Sequence, residues 1–328
     1  MTEKTKKSLD TDELKKKYGL VIASELQDCE KLPTGLFTLD EILGAGIPLG
    51  RLMSIHGMQS TGKSLLAAYI ASKFQQTQEK PVLWIDAENS IEPGFYEKLG
   101  VDVDALEVKP VDGTAEESLD MIIELSRAGI YSLIVLDSIA ALVPKNELES
   151  ALEDAKMTEL ARVLSRATRI IASECAKTKT TVILLNQVRE SLNPYGPKTT
   201  LPGGNALKFF TSVMLELKKG EIYYGDEKYA DGEKKAIGNQ IKIEAKKNKV
   251  GVPGASGSIN IYYNTGVDYI ADAFNIATNK GIIIQTGNSY SYKEVKLGVG
   301  KEKAIAKLKE DTILYDEIYK ELEKTLIK

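Results

Sequence analysis

Cysteine, histidine and tryptophan are almost missing: 328 residues contain two, one and one of them. Cys29 and Cys175 lie far apart, so there is no disulfide framework and no Cys/His set for structural zinc. A reducing, cytosolic setting fits that usage. No apolar run approaches the ~20 residues that span a bilayer. Thr2 to Lys17 is polar and lysine-rich with no apolar centre, so it does not read as a secretory signal. Internal repeats are absent, and low complexity is confined to the lysine-rich ends. The net charge of −4 argues against a broadly basic polyanion binder. Any nucleic-acid contact must then come from clustered cations. Arginine is scarce, so its positions carry more information than the charge total.

A 43% hydrophobic fraction is enough for a real core, and the length suits one large domain and a smaller one. The most specific stretch is Gly57-Met58-Gln59-Ser60-Thr61-Gly62-Lys63-Ser64. It matches G-x-x-x-x-G-K-[ST], a loop whose backbone N–H groups cradle phosphates. An apolar run (Leu52, Met53, Ile55) precedes it and a helical pattern (Leu65 to Ile70) follows. In that context Lys63 reaches the β/γ-phosphates of ATP and Ser64 holds Mg²⁺.

The centre of the chain alternates strand and helix. Val82–Ile85, Leu133–Leu136 and Thr181–Leu185 are continuous apolar runs, expected as buried parallel strands. Thr114 to Ser126 reads as a helix, with Thr114-x-x-Glu117 as its capping box and Gly129 as its stop; Leu160 to Ala176 is another. Short helices are expected at Asp10–Tyr18 and Leu39–Leu43. Beyond Phe210, strands at Val213–Leu217, Gln240–Ala245 and Ser258–Tyr263 are expected to extend the sheet antiparallel. From about Asp268 the chain reads as a small α/β lobe ending in a helix near Tyr315–Leu326.

Three central strands end in polar residues: Asp86/Glu88, Asp137/Ser138 and Asn186/Gln187. Ligands of open α/β sheets lie beyond the carboxyl ends of the strands, so these ends converge on the phosphate loop. Asp137 is placed as a Mg²⁺-holding aspartate. Glu88 is the candidate general base that aims water at the γ-phosphorus, or else a solvated loop acid. Gln187 is a candidate γ-phosphate contact, or else a surface residue opening a loop. Arg162, Arg166 and Arg169 fall at i, i+4 and i+7 on one helical face, with Arg189 further on. Guanidinium forks suit a phosphate backbone; the alternative is a solvated face paired to Glu159 or Glu174. Asn146 to Met157 and Glu190 to Gly204 lack periodicity and flank that helix.

The chain resembles the RecA recombinase family, including phage members such as UvsX. The resemblance rests on Leu43-Gly44-Ala45-Gly46, Pro48-Leu49-Gly50-Arg51, the phosphate loop, Ile85-Asp86-Ala87-Glu88, Val135-Leu136-Asp137-Ser138, Leu185-Asn186-Gln187-Val188-Arg189, Gly203-Gly204-Asn205-Ala206-Leu207-Lys208-Phe209 and Lys247-Asn248-Lys249. It covers about residues 33–265, more weakly to the end. It implies an α/β RecA-like ATPase core with a mostly parallel sheet. The implied domains are an N-terminal oligomerisation segment (1–32), the core with two DNA loops (33–267; loops about 146–157 and 188–204) and a small C-terminal domain (268–328). It further implies a DNA-dependent ATPase using ATP and Mg²⁺, filamentous on single-stranded DNA and pairing it with homologous duplex. Single-strand-binding and mediator proteins are candidate partners. Glu88 is similar to the catalytic glutamate, and Gln187 to the residue linking γ-phosphate to the second loop. Lys247 and Lys249 are similar to lysines reaching a neighbour's ATP. Phe95 stands at an adenine-stacking position, Glu92 near the base, and Tyr263 at a neighbour's nucleotide contact. Met157, Arg162, Ser165, Arg169, Gly203, Gly204 and Asn205 fall on DNA-contacting positions.

Some features depart from the family. The 187–203 loop is about one residue shorter than in bacterial members, and a long acidic tail is missing, which leans toward a phage-encoded member. A RadA-type motor would carry a zinc-binding cysteine set that two distant cysteines cannot supply. A helicase on the same core would unwind duplex and form closed rings, whereas a clock-type ATPase is separated by whether the Arg162/Arg166/Arg169 stripe serves DNA.

Overall fold

A computed structural model describes residues 11–149, 159–190, 199–203, 206–228 and 233–326. Residues 1–30 and 31–328 form separate units. The first contains α1 (Thr11–Tyr18) and a 3-10 turn, Ala23–Glu25. Its Tyr18, Leu20, Val21, Ile22 and Leu26 are exposed.

The larger unit begins with β1 (Lys31–Leu32), α2 (Phe37–Leu43) and β2 (Ile47–Pro48), the two strands pairing antiparallel. Buried Asp40 organises this entry, accepting from Thr34 N at 2.9 Å, Thr34 Oγ1 at 2.8 Å and Gly35 N at 3.1 Å. The alternating region follows as β3 (Leu52–Gly57), α3 (Lys63–Thr77), β4 (Val82–Asp86), α4 (Pro93–Lys98), β5 (Leu106–Pro110), α5 (Ala115–Ala128) and β6 (Leu133–Asp137). It continues through α6 (Lys145–Glu149), α7 (Glu159–Thr178), β7 (Thr181–Gln187), β8 (Arg189–Glu190), β9 (Thr199–Thr200) and α8 (Ala206–Phe210). Three long strands and a short one close the sheet: β10 (Val213–Lys228), β11 (Lys234–Asn248), β12 (Ser256–Tyr262) and β13 (Gly266–Val267).

Nine strands make one sheet in the order β13-β12-β11-β10-β3-β7-β6-β4-β5. Every pair from β10 to β5 is parallel. Strands buried on both faces read as near-continuous apolar runs, and β3, β4 and β6 are buried throughout, with Ser54 and His56 the polar interruptions of β3. On one face α3 packs Leu66, Tyr69, Ile70 and Phe74 against Ile55, Trp84 and Val135. On the other, α5 and α7 pack Leu119, Ile122, Leu164 and Ile171 against Ile134 and Leu184. The start of α5 is held as the capping box requires: Glu117 N donates to Thr114 Oγ1 at 3.2 Å, and Thr114 N donates to Glu117 Oε2 at 2.7 Å. Gly129 ends it in the left-handed region at φ 65°.

The C-terminal lobe comprises α9 (Tyr269–Asn279), β14 (Ile283–Thr286), β15 (Ser289–Tyr292), β16 (Val295–Val299), α10 (Lys301–Glu310) and α11 (Thr312–Leu326). Its three strands are antiparallel, and its core of Phe274, Tyr290, Leu297, Leu308 and Ile318 also takes in Phe37 of α2.

Some sequence expectations differ from the structure. Val213–Leu217 is not antiparallel: it runs parallel to β3, because a crossover through α8 delivers β10 in that direction, and the antiparallel part starts at β11. Strands β10 and β11 are also far longer than expected. Their polar outer halves pair only with one another and β12, so no apolar run marks them. The edge strand β5 was not anticipated; its exposed residues break the apolar signal. Asn146 lies in helix α6 rather than in irregular chain, while 150–158 fall outside the described residues.

Candidate nucleotide cleft and nucleic-acid face

Sheet order brings the carboxyl ends of β3, β7, β6 and β4 side by side. Gln59, Ser60, Thr61, Gly62, Lys63, Ser64, Leu65, Glu88, Ser90, Phe95, Tyr96, Asp137 and Gln187 line a cleft of about 390 Å³ there. A larger cleft, about 640 Å³, lies between α2, the β10–β12 strands and the C-terminal lobe, and holds none of these residues. The chemistry rather than the volume singles out the smaller one.

Backbone demands explain the glycines. A Cβ on Gly57 would stand 2.5 Å from Leu217 O and 2.6 Å from Thr61 Oγ1. Gly62, the N-cap of α3, has φ 87°, and a Cβ there would lie 2.2 Å from Ile241 Cδ1. Thr61 Oγ1 donates to Met58 O at 2.9 Å, closing the loop on itself. The loop thus turns directly into the positive end of a 15-residue helix, which suits an anion.

Lys63 Nζ donates to Met58 O at 2.9 Å and to Gly57 O at 3.3 Å. Burial lowers its pKa, and the Glu88 and Asp137 charges oppose that. Asp137 is raised to about 6: burial dominates, the Ser64 hydroxyl bond lowers it, and Glu88 and Asp86 repel its charge. Its Oδ2 is buried with no hydrogen-bond partner. A hydroxyl bonded to a carboxylate with an unused oxygen fits Mg²⁺, which takes one or two protein oxygens and fills its shell with water and phosphate. Among the described residues no cluster of three or more His, Cys, Asp or Glu forms an all-protein metal cage.

Glu88 Oε1 accepts from Ser138 Oγ at 2.5 Å, which orients the carboxylate. The Asp137–Ser138 peptide is cis. Asp86, grouped with Glu88 by the sequence, does a different job. Its carboxylate accepts Glu88 N at 3.2 Å, Ser90 N at 2.9 Å and Ile91 N at 3.1 Å, and so shapes the loop that carries Glu88. Nothing in the sequence marks Ser90 or Tyr96, which line the cleft; Ser138, next to Asp137 at the strand end, is not part of the lining and acts through Glu88. Gln187 lies at the register position of Gly57 across β3 and β7.

Not every expected site residue reaches this cleft. Gly57 and Met58 belong to the phosphate loop without lining it, and Glu92 is an exposed residue at the start of α4. Lys247, Lys249 and Tyr263 are also absent from its lining. Lys247 Nζ donates to Lys208 O at 2.5 Å and Phe209 O at 3.1 Å, while Lys249 Nζ reaches Phe209 O at 3.5 Å. Burial, then the Lys249 charge, lowers Lys247 to about 8. The two ammonium groups sit on the last carbonyls of α8, beside exposed Phe209.

On α7, Arg162, Ser165, Arg166 and Arg169 are all exposed. The acids that offered a structural explanation are engaged elsewhere: Glu174 pairs with Lys177 at 3.1 Å, and Glu159 accepts from Asn146 Nδ2 at 2.8 Å. Arg162 and Arg166 line a groove against Glu116, Asp120 and Glu124 of α5. Gly203 is in the left-handed region at φ 84°. Met157, Gly204 and Asn205 lie outside the described residues, and for Arg189 only the backbone is described.

A phosphate loop between β3 and α3, an aspartate ending β6 and a parallel sheet define a P-loop nucleotide-binding protein. Family models of the RecA N-terminal domain and RecA C-terminal domain match residues 7–268 and 271–327. Protein RecA of Thermus thermophilus is 37% identical over 329 aligned positions, covering 97% of this chain and 94% of that protein. Protein RecA of Fusobacterium nucleatum is 37% identical, covering 91% and 77%. Protein RecA of Aquifex aeolicus is also 37% identical, covering 95% and 91%. The chain belongs to the RecA family. That membership supports a role in recombination and repair, with use of ATP and Mg²⁺ and binding to DNA.

Proposed function

We propose that this protein is a DNA-dependent ATPase recombinase. It forms a helical filament on single-stranded DNA, pairs that strand with homologous duplex and exchanges strands. The carrying observation is that Gln187 lines the nucleotide cleft and is followed within one residue by the segment expected to grip DNA. Lys63 and the loop N–H groups bind the phosphates, and Phe95 stacks on the base. Ser64 and Asp137 are the residues that would hold Mg²⁺, which would offset charge developing on the transferred phosphoryl group. Glu88, held by Ser138, orients the attacking water. Lys247 and Lys249 act on a neighbouring subunit's ATP with Tyr263, supplying positive charge in trans. Their place outside this chain's own cleft supports that reading, as do the exposed apolar residues of 18–26 as an assembly segment. Arg162, Arg166, Arg169 and Arg189 contact phosphates, with Met157, Ser165 and Gly203 to Asn205 at the DNA. Binding is then salt-dependent and nearly indifferent to sequence. The cytoplasm is the proposed location. Among the described residues no helix is long and apolar enough to cross a membrane.

The test is ATP hydrolysis with and without single-stranded DNA, then strand exchange, for wild type, Lys63→Ala and Lys247→Ala. Stimulation and exchange in wild type, and loss in both variants, are expected. Unstimulated wild-type hydrolysis contradicts the reading. Mixing Lys247→Ala with Glu88→Ala subunits should restore part of the activity at mixed interfaces; no recovery counts against catalysis in trans.

A further inference from the structure

The chain leaving Gln187 and the chain returning at residues 199–203 are each tied to the sheet. On the way out, Val188 N donates to Gly57 O at 3.0 Å, joining the chain to the first glycine of the phosphate loop. On the return, Pro202 O accepts from Asn186 Nδ2 at 2.8 Å. Between them the backbone pairs Arg189 with Thr200 and Glu190 with Thr199. Leu201 packs on the α7 side of the sheet, and a Cβ on Gly203 would lie 2.5 Å from Leu164 Cδ1.

Asn186 is wholly buried, and its Oδ1 has no hydrogen-bond partner. The acceptor at Pro202 is a backbone carbonyl, so the amide must present its N–H₂ group to it. A leucine would fill the volume; only a donor of this length makes the bond. Successive strand residues face opposite sides. Gln187 therefore faces the nucleotide while Asn186, one residue earlier, faces the returning chain. A strand that shifts or twists carries both side chains with it.

We propose that Asn186 is a positioning residue that clamps the returning chain at Pro202 to the strand bearing Gln187, so that nucleotide contact and DNA grip are set together. The inference rests on the functional reading above. The clamp bears no catalytic duty, and the cleft can hydrolyse ATP without it.

The experiment compares wild type, Asn186→Ala and Asn186→Asp. For each, DNA-free turnover and its KM for ATP are measured, then the stimulation by single-stranded DNA at pH 8 and pH 5.5. Both variants should keep DNA-free turnover and KM within about twofold of wild type, and lose at least tenfold of the stimulation. Read against wild type at pH 5.5, where Asp137 also takes up a proton, Asn186→Asp should recover stimulation and Asn186→Ala should not, because a buried protonated carboxyl again donates to Pro202 O. That recovery also shows that the variant folds. Retained stimulation in both variants overturns the inference. So does a parallel loss of DNA-free turnover, or an absence of recovery in Asn186→Asp at low pH. A wild type without DNA stimulation instead overturns the functional reading on which the inference stands.

Discussion

Replacing Asp272 with asparagine is expected to stabilise the protein at pH 8 and destabilise it at pH 4. Asp272 lies on α9, buried against α2, where one carboxylate oxygen accepts Thr38 N at 3.3 Å and Oδ1 has no partner. Burial raises its pKa from 3.8 to about 6; bonds from Thr38 and Phe37 oppose this, and the charge of Asp40 adds to it. A carboxyl whose pKa is higher in the fold than in the unfolded chain holds its proton more tightly when folded. Ionisation therefore penalises folding above about pH 6, and the penalty fades as pH falls toward 4. At roughly 1.4 kcal/mol per pH unit, the penalty at pH 8 is about 3 kcal/mol. The amide removes it and leaves one N–H group buried without an acceptor, at a cost of roughly 1–2 kcal/mol. The net gain is then about 1–2 kcal/mol at pH 8, with a loss of similar size at pH 4. Urea unfolding followed by circular dichroism at both pH values, without nucleotide, reads the difference. A variant no more stable than wild type at pH 8, or a difference that does not change with pH, refutes the reasoning.

Gly62→Ala combines a forbidden φ of 87° with a contact on Ile241, so it should cost about 2–4 kcal/mol in urea unfolding and abolish nucleotide binding in a fluorescent-ATP titration. Thr114→Ala removes the cap of α5; thermal unfolding should show a loss of about 1 kcal/mol with DNA-stimulated hydrolysis unchanged. Arg162→Gln with Arg169→Gln should weaken binding to single strands of any sequence and flatten the slope of log affinity against log salt by about 1.4. An unchanged slope would exclude those arginines from the phosphate contacts. Asp40 shares the buried-carboxyl behaviour, raised to about 6 by burial against its Thr34 and Gly35 bonds. Asp40→Asn should therefore also reduce the gain in wild-type stability between pH 8 and pH 5, measured by the same unfolding.

What was legible in the sequence follows from how far each signal reaches along the chain. The phosphate loop is eight consecutive residues whose backbone path is set by two glycines, so its spacing alone identified it. Asp137 and Gln187 were legible because each ends an apolar run, and a strand end in a parallel sheet points at the ligand side. The role of Asp86 was not legible: nothing in its spacing tells a carboxylate that shapes a loop from one that faces a ligand, and its three N–H partners appear only in the folded turn. The Asn186–Pro202 bond joins residues sixteen positions apart and leaves no periodic trace. The outer half of strand β10 escapes the sequence reading because lysines, glycines and acids interrupt it and leave only Ile222-Tyr223-Tyr224 as an apolar stretch. Its direction was misjudged because direction depends on the crossover and not on the strand itself. Lys247 and Lys249 came from resemblance, and one chain alone does not bring them to the nucleotide.

The order of the strands also has a consequence for synthesis. Strand β3 carries the phosphate loop, yet both of its neighbours, β7 and β10, are encoded far downstream. As the chain leaves the ribosome, β3 has no hydrogen-bonding partner until residues beyond 181 have emerged. Its apolar residues stay exposed through that interval, and ATP cannot stabilise a cleft whose walls are not yet made. Long-range parallel pairing of this kind slows folding and lengthens exposure to aggregation. The same arrangement that gathers distant residues around one phosphate therefore leaves β3 without a strand partner until more than half of the chain exists.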